Sequence, residues 1–224
     1  MTNSNDLKWL KVQALSGAVF AGFLFMHLFN TMLAVLGPGT YDAVQGQLRR
    51  GYQAPVLEVV LVLGPLLLHV GTAVAHMWKR RKAEPVAVSW RARLHRWSGR
   101  FLLVFFVGHV VATRGPSLVY GVFPGFEGVA FTFRWVPAYF WPYYLLLALS
   151  GWYHLVHGLS VALPLFGVRV LQRRAVFRSL VSVGSIALVV GVLSLGGVFF
   201  DVGDPSTSPF ARLVLRLSSG APSP

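Results

Sequence analysis

The sequence predicts an all-α integral membrane protein with five transmembrane helices, four in an up-down antiparallel bundle and a fifth added to it. Three observations predict this class. Five apolar runs lie at residues 14–36, 56–78, 98–120, 138–163 and 176–200, and a helix needs about 20 such residues to cross the hydrocarbon core. Only 12% of the 224 residues are charged, against about a quarter in a soluble domain. Four of the five runs carry an internal histidine and the fifth carries none.

Each element follows from local signals. Backbone groups cannot stay unpaired in lipid, and continuous rather than alternating runs exclude a barrel, so the runs are helices. Residues 1–13, MTNSNDLKWLKVQ, form a cytoplasmic tail without a small-residue cleavage site, so the first run is read as retained. Pro55 opens the second run, and Pro137 and Pro142 mark the start of the fourth, where a missing N–H costs little. Residues 201–224 form a polar tail. Within it, Phe210, Leu213, Val214 and Leu217 have the spacing of a short interfacial amphipathic helix. The last residues, SSGAPSP, have a disordered composition.

There are 20 Lys+Arg against 7 Asp+Glu, a net charge of +13. The bases lie in the gaps between runs. One side collects Lys8, Lys11, Lys79, Arg80, Arg81, Lys82, Arg91, Arg93, Arg96, Arg100, Arg169, Arg173, Arg174 and Arg178. The other mixes Arg49, Arg50, Arg114 and Arg134 with Asp42, Glu127, Asp201 and Asp204. The positive-inside rule then sets the N-terminus inside and the C-terminus outside. The expected partners are membrane lipids and not nucleic acid. The Val/Leu/Arg-rich composition leans toward a bacterial plasma membrane. With no cysteine, disulfides, thiolate metal sites and Cys-ligated iron–sulfur clusters are excluded.

The first and third runs repeat one layout. Ser16-Gly17 precedes His27, and Ser98-Gly99 precedes His109, each His ten residues after its Gly. The second run carries His69, and the fourth carries His154 and His157. Ionisable groups inside spans are rare and face the interior. One such histidine can be a cross-helix hydrogen bond, but one on each of four helices points to a cofactor. No Asp or Glu lies well inside a run, which argues against a catalytic zinc site and against an ion path. Haem b fits better. Neutral imidazole suits iron, and facing helices of a bundle supply one axial ligand each.

Two haems are expected, with His27, His69, His109 and His154 as iron ligands. Ten residues of helix rise about 15 Å, so His27 and His109 sit at similar depth toward the outside. His69 pairs with His154 toward the inside. His154 is preferred over His157 because Gly158, four residues on, leaves room on its face. His157 and His95 are read as supporting neighbours. His76, two turns from His69, and Arg96 and Arg100 are placed for haem propionates.

His95-Arg96-Trp97-Ser98-Gly99 resembles the HRxSG entry of the cytochrome b membrane subunit of succinate dehydrogenase and fumarate reductase. Tyr153-His154-x3-Gly158 resembles that family's haem-ligand helix, and the layout is similar to its two-haem, five-helix branch. The resemblance implies a quinone site at Arg96 and Ser98, and soluble flavoprotein or iron–sulfur subunits on the inner side. The chain has no Gly-rich dinucleotide fingerprint and no soluble domain. It is at most the membrane electron-transfer subunit of an oxidoreductase. HLFNTMLAVLGP, RRGYQAPVLEVVLVLGPLLLHVGTAVAHMWKRR, HRWSGRFLLVFFVGHVVATR and SGWYHLVHGLSV also resemble the transmembrane domain of fungal Mdm-complementing proteins. That resemblance implies an alternative: a membrane adapter or lipid-homeostasis protein whose haem is structural or absent.

Overall fold

The computed structural model describes residues 4–79 and 88–220, the side chains of residues 4–6 excepted. Arg80, Arg81 and Lys82 of the predicted basic loop, and the last four residues of the predicted disordered tail, lie outside the described residues. All regular structure among the described residues is helical. Five helical stretches are long and apolar enough to cross a membrane: Leu7–Leu36, Pro55–Lys79, Trp90–Tyr120, Pro137–Phe166 and Arg174–Leu195.

Helix α1, Ser4–Leu33, starts well before the predicted residue 14. Nothing in residues 4–13 breaks it, since its first glycine is Gly17 and it holds no proline. After Gly37 comes α2, Pro38–Tyr52, with proline at its first position. The second span joins α3, Pro55–Glu58, to α4, Gly64–Lys79, through a π-helical turn over Val59–Leu63. Pro65 lacks an N–H, and the wider turn before it accommodates the lost bond.

Helix α5, Trp90–Tyr120, begins earlier than the predicted residue 98 because Ser89 caps it, accepting from the Ala92 N–H at 3.3 Å. It ends at Gly121, whose φ of 66° suits a residue without a side chain. Next come α6, Phe126–Trp135, and α7, Pro137–Ala162. Helix α8, Arg174–Leu195, stops short of the predicted residue 200 because Gly196-Gly197 follows, with Gly197 at φ 80°. The tail holds α9, Pro209–Ser218, capped by the Ser208 hydroxyl.

Packing sets the frame. Helix α1 packs against α4, α7 and α8, and α7 also packs against α5 and α8. The core lies between α1, α7 and α8, around Leu28, Trp152 and Leu188. Glycines on α8 let large groups in. Trp152 lies over Gly184, and its indole N–H donates to the Leu180 carbonyl at 3.0 Å. Gly191 admits the α1 backbone at Thr31 and Met32. A Cβ at Gly191 would overlap the Thr31 carbonyl. Gly191→Ala is therefore expected to destabilise by about 1–3 kcal/mol through overpacking. Thermal unfolding in detergent checks this against Gly22→Ala, where a Cβ meets nothing within 4 Å.

The short helices α2, α6 and α9 gather at one end of the spans and cap it. Helix α6 packs against α2 and α9. Phe126 is fully buried between Tyr41 and Phe200. Its N–H donates to Asp42 Oδ1 at 2.8 Å, tying α6 to α2. Burial pushes the Asp42 carboxyl above its ordinary range, and that hydrogen bond works against the shift. Phe210 of α9 packs where Gly128 of α6 has no side chain. Opposite the capped end lies a basic end, carrying Lys79, Arg91 and Arg174. The outward faces of the spans are apolar: Val56, Val104, Val119 and Trp78 are 70–73% exposed. An apolar exterior of this extent is compatible with an integral membrane protein.

Candidate functional site

A cavity of about 2210 Å³ lies among α1, α4, α5 and α7. Single-ligand pockets are about 300–1,000 Å³, so this space exceeds what one small molecule fills. His27, His69, His109 and His154 all line it. Toward the basic end it is lined by His76, Arg96 and Arg100, and toward the capped end by Arg49, Glu58 and Arg114.

The four histidines form two facing pairs. The His27 and His109 rings lie 5.9 Å apart between centroids, at 68° to each other. The His69 and His154 rings lie 6.3 Å apart, at 82°. Each pair draws one residue from α1 or α4 and one from α5 or α7. Neighbouring polar atoms hold the Nδ1 sides. His69 Nδ1 lies 3.2 Å from the Gln13 carbonyl oxygen. His154 Nδ1 lies 3.3 Å from the His95 carbonyl oxygen and 3.3 Å from Ser98 Oγ. His109 Nδ1 lies 3.3 Å from the Tyr143 hydroxyl. A carbonyl only accepts, so Nδ1 of His69 and of His154 is the donor in these contacts, and in the neutral ring that tautomer leaves the lone pair on Nε2. His27 rests on Phe23, with centroids 6.0 Å apart and the planes at 13°.

The Ser-Gly repeat now has a structural role. A Cβ at Gly17 would meet His69 Nδ1 at 2.7 Å, and one at Gly99 would meet His154 Cε1 at 2.8 Å. Each glycine seats a histidine from another span. Each serine donates to the carbonyl three residues earlier: Ser16 to Gln13 at 3.2 Å and Ser98 to His95 at 2.9 Å. Those are the same two carbonyls that meet the His69 and His154 rings. Gln13, Ser16, Gly17 and His69 thus match His95, Ser98, Gly99 and His154.

The other predicted residues separate into groups. Ser98 is buried beneath His154 and does not line the cavity, whereas Arg96 does. His95 stacks on His154 at 4.1 Å and on His157 at 4.6 Å. His154, and not His157, faces His69. Gly158 lines the cavity, and the His95 Cε1 lies 3.5 Å from where its Cβ would be, an ordinary contact. His76 has a buried Nε2 with no hydrogen-bond partner. Tyr143 was not among the predicted residues; its position two turns before Gly151 carries no signal without the fold.

At the capped end Arg114 forms a two-bond contact with Glu58, Nε to Oε1 at 2.7 Å and Nη2 to Oε2 at 2.6 Å. It links the second span to α5. Arg114 also donates to Ser117 Oγ at 2.8 Å. Charge-assisted hydrogen bonds are each worth about 1.5–3 kcal/mol. Glu58→Gln is expected to lower the thermal midpoint in detergent, by a loss of about 1–3 kcal/mol. Glu127→Gln, at an exposed position in the otherwise largely buried first turn of α6, serves as the control.

Among the described residues no group of three or more His, Asp or Glu side chains is arranged to hold a metal ion. Comparison with protein-family models, with curated proteins and with solved structures gives no match.

Proposed function

We propose that the chain is an integral membrane b-type cytochrome, binding two haems b by bis-His ligation and passing electrons to or from a quinone or a partner subunit. The observation that carries this reading is the facing of His27 with His109, and of His69 with His154, across one large cavity. A metal–imidazole bond is about 2 Å long. Two such bonds plus half a ring on either side put the centroids about 6 Å apart, and both pairs have that spacing.

Further features fit the same group. Neutral imidazole is a good iron ligand, and hydrogen-bonding of the far ring nitrogen orients it. Gly17 and Gly99 keep side-chain bulk away from the ligand rings. His76, with its unpartnered Nε2, and Arg96 and Arg100 suit acidic substituents at the basic end. Bound there, haem would supply reversible one-electron transfer, held by His27, His109, His69 and His154. The chain supplies four Nε2 atoms, the carbonyls that fix the Nδ1 protons, and the cap of α2, α6 and α9.

In this reading the spans form an up-down antiparallel bundle in the membrane. The basic end faces the cytoplasm, with the N-terminus inside and the C-terminus outside, as in a bacterial plasma membrane. The resemblance to the succinate dehydrogenase and fumarate reductase anchor supports a quinone near Arg96. Ser98 then acts as a support for His154, since its hydroxyl is spent on His95. Redox titration of the purified protein tests the function. Two reversible one-electron steps in the visible spectrum are expected. A folded protein with no reducible chromophore overturns the reading and favours the membrane-adapter alternative.

A further inference from the structure

We propose that Arg49 of α2 is the anion-binding residue at the capped end, taking an acidic substituent of the group that His27 and His109 hold. This rests on the two-haem reading and adds to it a residue from outside the spans. Arg49 lines the same cavity as His27 and His109. Its guanidinium carbon sits 3.4 Å over the centre of the Phe123 ring, which fixes it from one side. Its buried Nε has no hydrogen-bond partner.

The acidic groups nearby are committed elsewhere. Glu58 is occupied by both arms of Arg114, which is the one ion pair among the described residues. Asp42 accepts from the Phe126 N–H. Burial pulls the Arg49 guanidinium below its ordinary range, with Arg114 adding to the effect and Tyr52 and Asp42 opposing it. An anion beside Arg49 offsets that cost and uses the idle Nε donor. Haem carries two carboxylates, which match a guanidinium held by a stacked ring. The contacts run back to the ligand pair: Tyr52 packs edge-on against Phe23 at 4.9 Å, and Phe23 stacks on His27. Nothing in the sequence pattern marks Arg49 apart from Arg50 beside it, which does not line the cavity.

The test is a redox titration of purified full-length protein, wild type against Arg49→Gln, with haem counted per chain. A positive charge favours the reduced, less positive haem, so its removal lowers the midpoint potential. Arg49→Gln is expected to shift one of the two haems downward and leave the other in place. Arg49→Lys is expected to give a smaller shift of the same haem, and it carries the test if Arg49→Gln does not accumulate. Phe123→Leu is expected to move that same haem. Wild type with two haems and variants with two unchanged potentials overturn this inference alone. A colourless wild type overturns both it and the cytochrome reading. Unchanged potentials with loss of co-purified phospholipid phosphate assign Arg49 to a lipid headgroup and also overturn the proposal.

Discussion

His154→Ala is expected to yield protein that keeps one haem and loses the other, halving the reduced-minus-oxidised absorbance per chain. His69→Ala is expected to remove the same haem, and the double variant no more than either single. The reason is geometric. His69 and His154 face each other and neither faces the other pair at comparable range. An iron with one of two axial imidazoles removed loses half its protein bonds. His27→Ala and His109→Ala are expected to remove the second haem alone. His157→Ala is the discriminating control. It lies three residues from His154 and is buried, but its ring stacks on His95 and Tyr153 rather than facing His69. It should keep two haems. Loss of a haem in His157→Ala with retention in His154→Ala would exchange their roles.

Gly99→Ala and Gly17→Ala carry the second large effect. Either Cβ lands inside contact distance of a histidine ring, at 2.8 Å and 2.7 Å respectively. The rings cannot swing freely, because each Nδ1 is held to a backbone carbonyl. Overpacking of this kind costs about 1–3 kcal/mol, and here it falls on ligand geometry. Haem content at the His69–His154 pair is expected to fall in both variants while the His27–His109 haem stays. Gly108→Ala, beside His109 but with nothing within 4 Å of its new Cβ, should keep both haems. Full occupancy in Gly17→Ala and Gly99→Ala would show that the glycines serve helix packing only.

Much of the frame was legible in the sequence because lipid imposes a simple rule. A run of about 20 apolar residues must be a helix there, and each of the five helical stretches overlaps a run. The ends were less legible. Ser89 caps α5 by a side-chain bond that hydropathy does not register, and α1 runs back to Ser4 through polar residues. Helices α2 and α6 lie in gaps read only for charge. Their stability comes from tertiary contacts such as Phe126 to Asp42, which join residues 84 positions apart.

At the site, the ten-residue interval after each Ser-Gly placed His27 and His109 at one depth, because helical rise is constant. That each glycine seats a histidine from a different span was out of reach, since only the fold brings Gly17 to His69 and Gly99 to His154. Gly158 lines the cavity, as room for a flat group on that face requires, and the sequence does not show that the His95 ring lies beside it. Arg49 and Tyr143 were missed for the same reason. Each is ordinary in its local sequence and distinctive only beside Phe123 or His109.

The most direct measurement is the haem content of the purified, folded full-length chain, by pyridine haemochrome against protein concentration. Two haems b per chain are expected, both low-spin and neither binding carbon monoxide when reduced, since bis-His iron has no open position. A monodisperse, helical protein with no haem, or with haem that binds carbon monoxide, would contradict the assignment of His27, His69, His109 and His154 as two axial pairs.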